Sequence, residues 1–189
     1  MDKKFRDKYR IASARLRTWD YSRDAYYFIT ICTKNRANFF GEIHKNEISL
    51  SPVGKIVEQY WREIPAHFAN VKLDKFVIMP NHLHGILVID NWGNGENRDG
   101  RRDEAMPRLY TGLHPQMSKI SPKPKSLPTI IGSFKSICTK HIRKINPDFS
   151  WQTRYHDHII RDDRAYNDIQ AYILNNPANW HKDKENIVC

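Results

Sequence analysis

The segment that most constrains the fold is residues 82–90, HLHGILVID. Behind its two leading histidines it is apolar on both alternating faces, which places it centrally in a sheet. Pro80-Asn81 breaks the chain just before it and separates it from a second apolar strand, residues 71–79. Residues 26–34 (YYFITICTK) are β-branched and aromatic and read as a buried strand. Residues 47–51 form a short strand, and residues 154–161 a further one. Residues 52–68 read as a helix capped by Ser51, with Pro52 in its first turn. Val53, Val57, Tyr60, Trp61 and Ile64 share its apolar side. Residues 127–145 are a second helix, with Ile130, Phe134, Ile137, Cys138 and His141 on one side. A third, residues 163–176, starts at an aspartate cap and stops at Pro177.

Leaving the short strand aside, the order is strand, helix, strand, strand, helix, strand, then helix. That is the split β-α-β-β-α-β pattern of ferredoxin-like folds. The expected class is α+β: an antiparallel sheet with helices on one face, plus a C-terminal helix carrying Tyr172. Residues 1–25 read as a basic N-terminal arm, 26–181 as the domain and 182–189 as a tail. Within the domain, residues 91–126 carry four glycines and four prolines and read as a flexible basic loop. With 189 residues there is room for one domain of ordinary size.

Charge gives the first functional clue. The chain has 31 Lys+Arg against 21 Asp+Glu, a net charge of +10 and a pI near 9.6, with 12% aromatics. Such a balance suits a polyanion partner, above all nucleic acid. The excess is uneven: residues 1–36 hold ten basic and four acidic groups, whereas residues 37–90 are nearly balanced. No apolar run approaches the roughly 20 residues that span a bilayer. The charged residues 1–10 have no apolar stretch behind them, so no secretory leader is expected. Three scattered cysteines make neither a disulfide framework nor a zinc pair, and a cytoplasmic setting is expected. Phosphate-binding, nucleophile-elbow and dinucleotide-binding glycine motifs are absent from the sequence.

Two residue groups carry chemistry. His82 and His84 are two apart on a strand, so both imidazoles point to one face and can grip one divalent metal. Tyr172 and Asn176 are four apart on the last helix and share its side with Ile169 and Ile173. The phenol can then aim at a metal held by the histidines, and the Asn176 amide oxygen can be a third ligand. A core tyrosine and a helix-ending asparagine are the plainer reading of that pair. A rival histidine pair, His156 and His158, has the same spacing, and spacing alone does not separate the two.

The blocks Met79-Pro80-Asn81-His82-Leu83-His84, Trp151 to Arg161 (WQTRYHDHIIR) and Tyr172-Ile173-Leu174-Asn175-Asn176-Pro177 together resemble one family. It is the single-tyrosine HUH transposases, in particular the REP-associated tyrosine transposases. The resemblance runs from about Tyr26 to Trp180 and leaves residues 91–126 unmatched. It implies His82, His84 and Asn176 as ligands of Mg²⁺ or Mn²⁺, and Tyr172 as nucleophile. It favours His82 and His84 over the rival pair. It implies a single-stranded DNA substrate with an imperfect palindromic hairpin, cleaved and rejoined through a 5′-phosphotyrosine. Monomer and homodimer both occur among relatives. The basic residues Arg6, Arg10, Arg15 and Arg17 of the arm can then reach the DNA backbone. Lys135, Lys140, Arg143, Lys144, Arg154 and Arg161 can line the strand path, and Trp19, Trp151 or Tyr155 can stack bases. The alternatives are a hairpin-binding protein without catalysis, a replication initiator or relaxase of the same superfamily, and an RNA-binding ferredoxin-like module. The last lacks the aromatic motif of such modules.

Overall fold

A computed structural model describes residue 16, residues 18–91 and residues 123–182. The main sheet has four strands: β1 (Ala25–Cys32), β4 (Val71–Ile78), β5 (His82–Ile89) and β6 (His156–Ile160). Their order is β4-β5-β1-β6, and every pair is antiparallel. A separate hairpin pairs β2 (Gly41–His44) with β3 (Glu47–Leu50). The helices are α1 (Pro52–Arg62), α2 (Ile64–His67), α3 (Leu127–Ile142) and α4 (Asp163–Asn175), followed by a 3₁₀ segment, Pro177–Lys182.

The expected α+β, ferredoxin-like sheet is observed. The differences are local. The short strand at residues 47–51 belongs to a hairpin beside the main sheet, and its partner β2 has no clear alternating pattern in sequence. The helix expected over 52–68 breaks at Glu63, because Pro65 supplies no amide hydrogen for the α-helical ladder. Ser51 caps α1 as expected: its hydroxyl accepts from the Gly54 amide at 3.0 Å.

The sheet is covered on both faces, which is why β5 is apolar on both. Tyr27, Ile29, Ile31, Leu83 and Leu87 pack toward α1 and α3, around the fully buried Trp61. Gly85 makes room for that indole, since a Cβ there would lie 2.7 Å from Trp61 Cζ2. On the opposite face Ile86, Ile160, Phe28, Val77 and Val88 pack with Ile173 and Ile169 of α4. So α1 and α3 share one face, and α4 takes the other. His82 and His84 lie on the α4 face, because they keep the alternation of Ile86 and Val88.

Candidate active site

The two histidines are held differently. Asn81 donates through Nδ2 to the Arg36 carbonyl at 3.1 Å, so its Oδ1 faces His82 Nδ1 at 2.8 Å. That oxygen can only accept, so Nδ1 carries the ring hydrogen and Nε2 carries a lone pair. His82 is fully buried, and its pKa falls to about 3 through desolvation and the nearby Arg36 charge. At neutral pH it is an uncharged imidazole, the form a metal requires.

His84 is 3% exposed. Its Nδ1 lies 2.8 Å from Thr30 Oγ1, directly across the ladder on β1. Its ring stacks on Phe28 at a centroid distance of 5.3 Å. The two imidazole centroids are 4.3 Å apart. Strand geometry brings them together, and Thr30 and Asn81 set their ring orientation.

Tyr172 reaches this pair from α4. Its hydroxyl lies 3.2 Å from His84 Nε2, and its ring meets Phe28 edge-on. The side chain is 45% exposed, so the phenol is open to solvent while its oxygen touches the histidine. The Asp162 carboxylate caps the start of α4 by accepting from the Ala165 amide at 2.8 Å. Ile173 is buried against the sheet. A bulge between Leu73 and Phe76 of β4 precedes the main anchor. Phe76 returns to the Trp61 side, while Asp74 accepts hydrogen bonds from Tyr166 Oη and from Gln170 Nε2 (2.8 Å) on α4.

Asn176 follows α4 and is 2% exposed. Its Oδ1 is buried and accepts no hydrogen bond among the described residues. Four residues before it, Tyr172 touches His84. Four residues after it, the Trp180 ring lies 5.9 Å from the His82 ring. Asn176 is thus bracketed along the chain by the contacts to both histidines. A buried amide oxygen without a donor is costly unless something else occupies it. Together with the two imidazoles, it suits a divalent cation that accepts nitrogen and amide oxygen. Among the described residues no group of three His, Cys, Asp or Glu side chains could hold a metal, so a third protein ligand beside the two histidines would have to be of another type, such as an amide.

The rival pair is placed apart. His156 and His158 are exposed on β6, opposite Thr30 and Phe28 respectively. They share the face of His84, but Tyr172 bonds to His84. Of the basic residues, Lys135 is turned inward: its ammonium donates to the Gln152 carbonyl at 2.6 Å and sits over the Trp151 ring. Arg143 is exposed and donates to the Phe149 carbonyl at 3.1 Å. Lys140, Lys144, Arg154 and Arg161 are exposed. Arg6, Arg10, Arg15 and Arg17 and most of the 91–126 stretch lie outside the described residues. The candidate stacking rings are half-buried and make core contacts. Trp151 packs with Phe40, Phe134 and Phe149, Trp19 donates to Tyr27 Oη, and Tyr155 packs against the core. Sequence reasoning passed over Thr30, Asn81, Asp74 and Trp180. Only Thr30 leaves a sign there, as a hydroxyl in an apolar strand.

No protein-family profile matches the chain. An uncharacterised protein of Haemophilus influenzae is 39% identical over 173 residues, covering 91% of each chain. The chain belongs to that protein's family. Among solved structures, a REP-associated tyrosine transposase bound to a REP hairpin superposes with a TM-score of 0.56 at 14% identity. The match covers 92% of this chain and 77% of that one. The fold is therefore that of a REP-associated tyrosine transposase. Within this transposase fold, the helix bearing Tyr172 and the strand bearing both histidines come from one chain.

Proposed function

We propose that this protein is a metal-dependent endonuclease and strand transferase acting on single-stranded DNA beside hairpins. The observation that carries the reading is the 3.2 Å contact between the exposed Tyr172 hydroxyl and a histidine of the buried pair. The transposase fold, the basic surface and the hairpin bound by the structural neighbour support the same conclusion.

Tyr172 is the nucleophile. Its oxygen forms a bond to the scissile phosphorus while the bond from phosphorus to the 3′-side oxygen breaks. The phenolic proton is lost and a proton ends on the departing 3′-oxygen. The product is a 5′-phosphotyrosine and a free 3′-hydroxyl, and a second 3′-hydroxyl reverses the step to join strands. A phenol with an ordinary pKa near 10 lies roughly 4 kcal/mol from its phenolate at pH 7. Mg²⁺ or Mn²⁺ held by His82, His84 and Asn176 would supply charge neutralisation on the phosphate and stabilise the transition state. Phe28 and Ile173 fix the tyrosine's approach, and Thr30 and Asn81 keep imidazole lone pairs turned toward the site.

A labelled hairpin-bearing single strand incubated with Mn²⁺ and resolved on a denaturing gel tests this. The expected result is a covalent adduct that disappears with chelator and in Tyr172→Phe. DNA binding without any adduct would overturn the enzymatic reading and leave a hairpin binder.

A further inference from the structure

The α4 face of the sheet continues beyond the tyrosine. Along β1, Thr30, Phe28 and Tyr26 point to this face. Tyr26 lies about 13 Å along the strand from Thr30. It is 45% exposed, although it sits in a strand whose next six residues are mostly buried. Its ring meets Tyr166 of α4 edge-on, at a centroid distance of 5.5 Å. Tyr166 is itself pinned to Asp74. The two rings and Ile160 wall a cleft of about 290 Å³, whose rim is formed by Arg161, Asp162 and Asp163. Arg161 is exposed.

We propose that this cleft is a docking site for one unpaired nucleobase of the DNA arm that runs from Tyr172. The inference rests on the single-stranded DNA reading above. A flat, exposed tyrosine backed by a fixed second ring is a stacking platform open to any base. The charges at the rim then sort the ligand's parts. The Arg161 guanidinium suits the phosphate of the same nucleotide. The two carboxylates repel phosphate and accept hydrogen bonds from an exocyclic amino group. The nucleotide therefore enters with its base edge toward Asp162 and Asp163, and cytosine, adenine or guanine is preferred over thymine. The cleft lies on the face of the catalytic tyrosine, so a strand bound there leads toward it across Phe28.

The test walks a single abasic site along the arm of a hairpin oligonucleotide and measures affinity in the Tyr172→Phe background, where cleavage cannot interfere. One arm position is expected at which base loss weakens binding about 10-fold. The same abasic site should cost nothing further in Tyr26→Leu, whereas Tyr26→Trp should retain the effect. Thymine at that position should bind more weakly than cytosine, and Asp163→Asn should narrow the gap. Abasic losses in Tyr26→Leu equal to those with Tyr26 present, at every position, would overturn the proposal, as would no dependence on the arm at all. A coupled position with no adduct from the unsubstituted protein would leave the cleft standing and remove the nuclease reading. An adduct without a coupled position would do the reverse.

Discussion

Thr30 contributes more than a filled strand position. Its hydroxyl bonds His84 Nδ1 at 2.8 Å and thereby leaves Nε2 as the ring nitrogen that faces Tyr172. Partners of this kind behind metal-binding histidines matter about 10–100-fold for affinity. Thr30→Val keeps the shape and removes the bond. Mn²⁺ affinity, read by titration calorimetry, is expected to fall by about that factor while folding is retained. The inward-turned Lys135 makes a different prediction. Burial lowers its pKa to about 8, below the ordinary lysine value of 10.5. Between those values the unfolded chain holds a proton that the folded chain has released. Stability therefore rises with pH across that window, relative to a Lys135→Met variant, and denaturant titrations from pH 8 to 10 should show the divergence.

At the scale of elements, α4 does the positioning. Its apolar side buries Ile173 and packs Ala165, Tyr166 and Ile169 against the sheet. The polar lock of Asp74 with Tyr166 and Gln170 fixes its register. Asp74→Ala leaves Tyr166 and Gln170 without their acceptor, at a cost of about 1–3 kcal/mol. The initial rate of adduct formation is expected to fall more than DNA affinity does, since the phenol loses its place while the cleft loses only the anchor of Tyr166 and the basic surface remains. An equal fall in both would indicate general unfolding instead.

The sequence was most readable where one physical rule dominated. Behind its two histidines the 82–90 segment is apolar on both faces, and the structure covers both faces of β5 with helices. His82, His84 and Tyr172 were legible because strand and helix periods fix which side a residue occupies. The lock on α4 was not, because it depends on a bulge in β4, and one extra residue in a strand leaves no periodic trace. Asn81 looked like a strand breaker. Its second role, orienting His82, follows only from where the Arg36 carbonyl lies. Pro65 was hidden within an otherwise helical pattern, and β2 is too short and mixed to signal a strand.

At the scale of the whole molecule, one chain supplies Tyr172, both histidines and Asn176. A Tyr172→Phe protein mixed with a His84→Ala protein is therefore expected to give no adduct above either alone. Recovery of activity in the mixture would mean that α4 exchanges between subunits. The central claim, that the exposed phenol of α4 attacks DNA beside the buried histidine pair, is tested most directly by locating the covalent bond. After reaction with Mn²⁺ and a hairpin-bearing single strand, nuclease and protease digestion followed by mass spectrometry should find a nucleotide phosphate on Tyr172. Cleaved DNA with the phosphate on Tyr155 or Tyr166, or on no tyrosine, would contradict it.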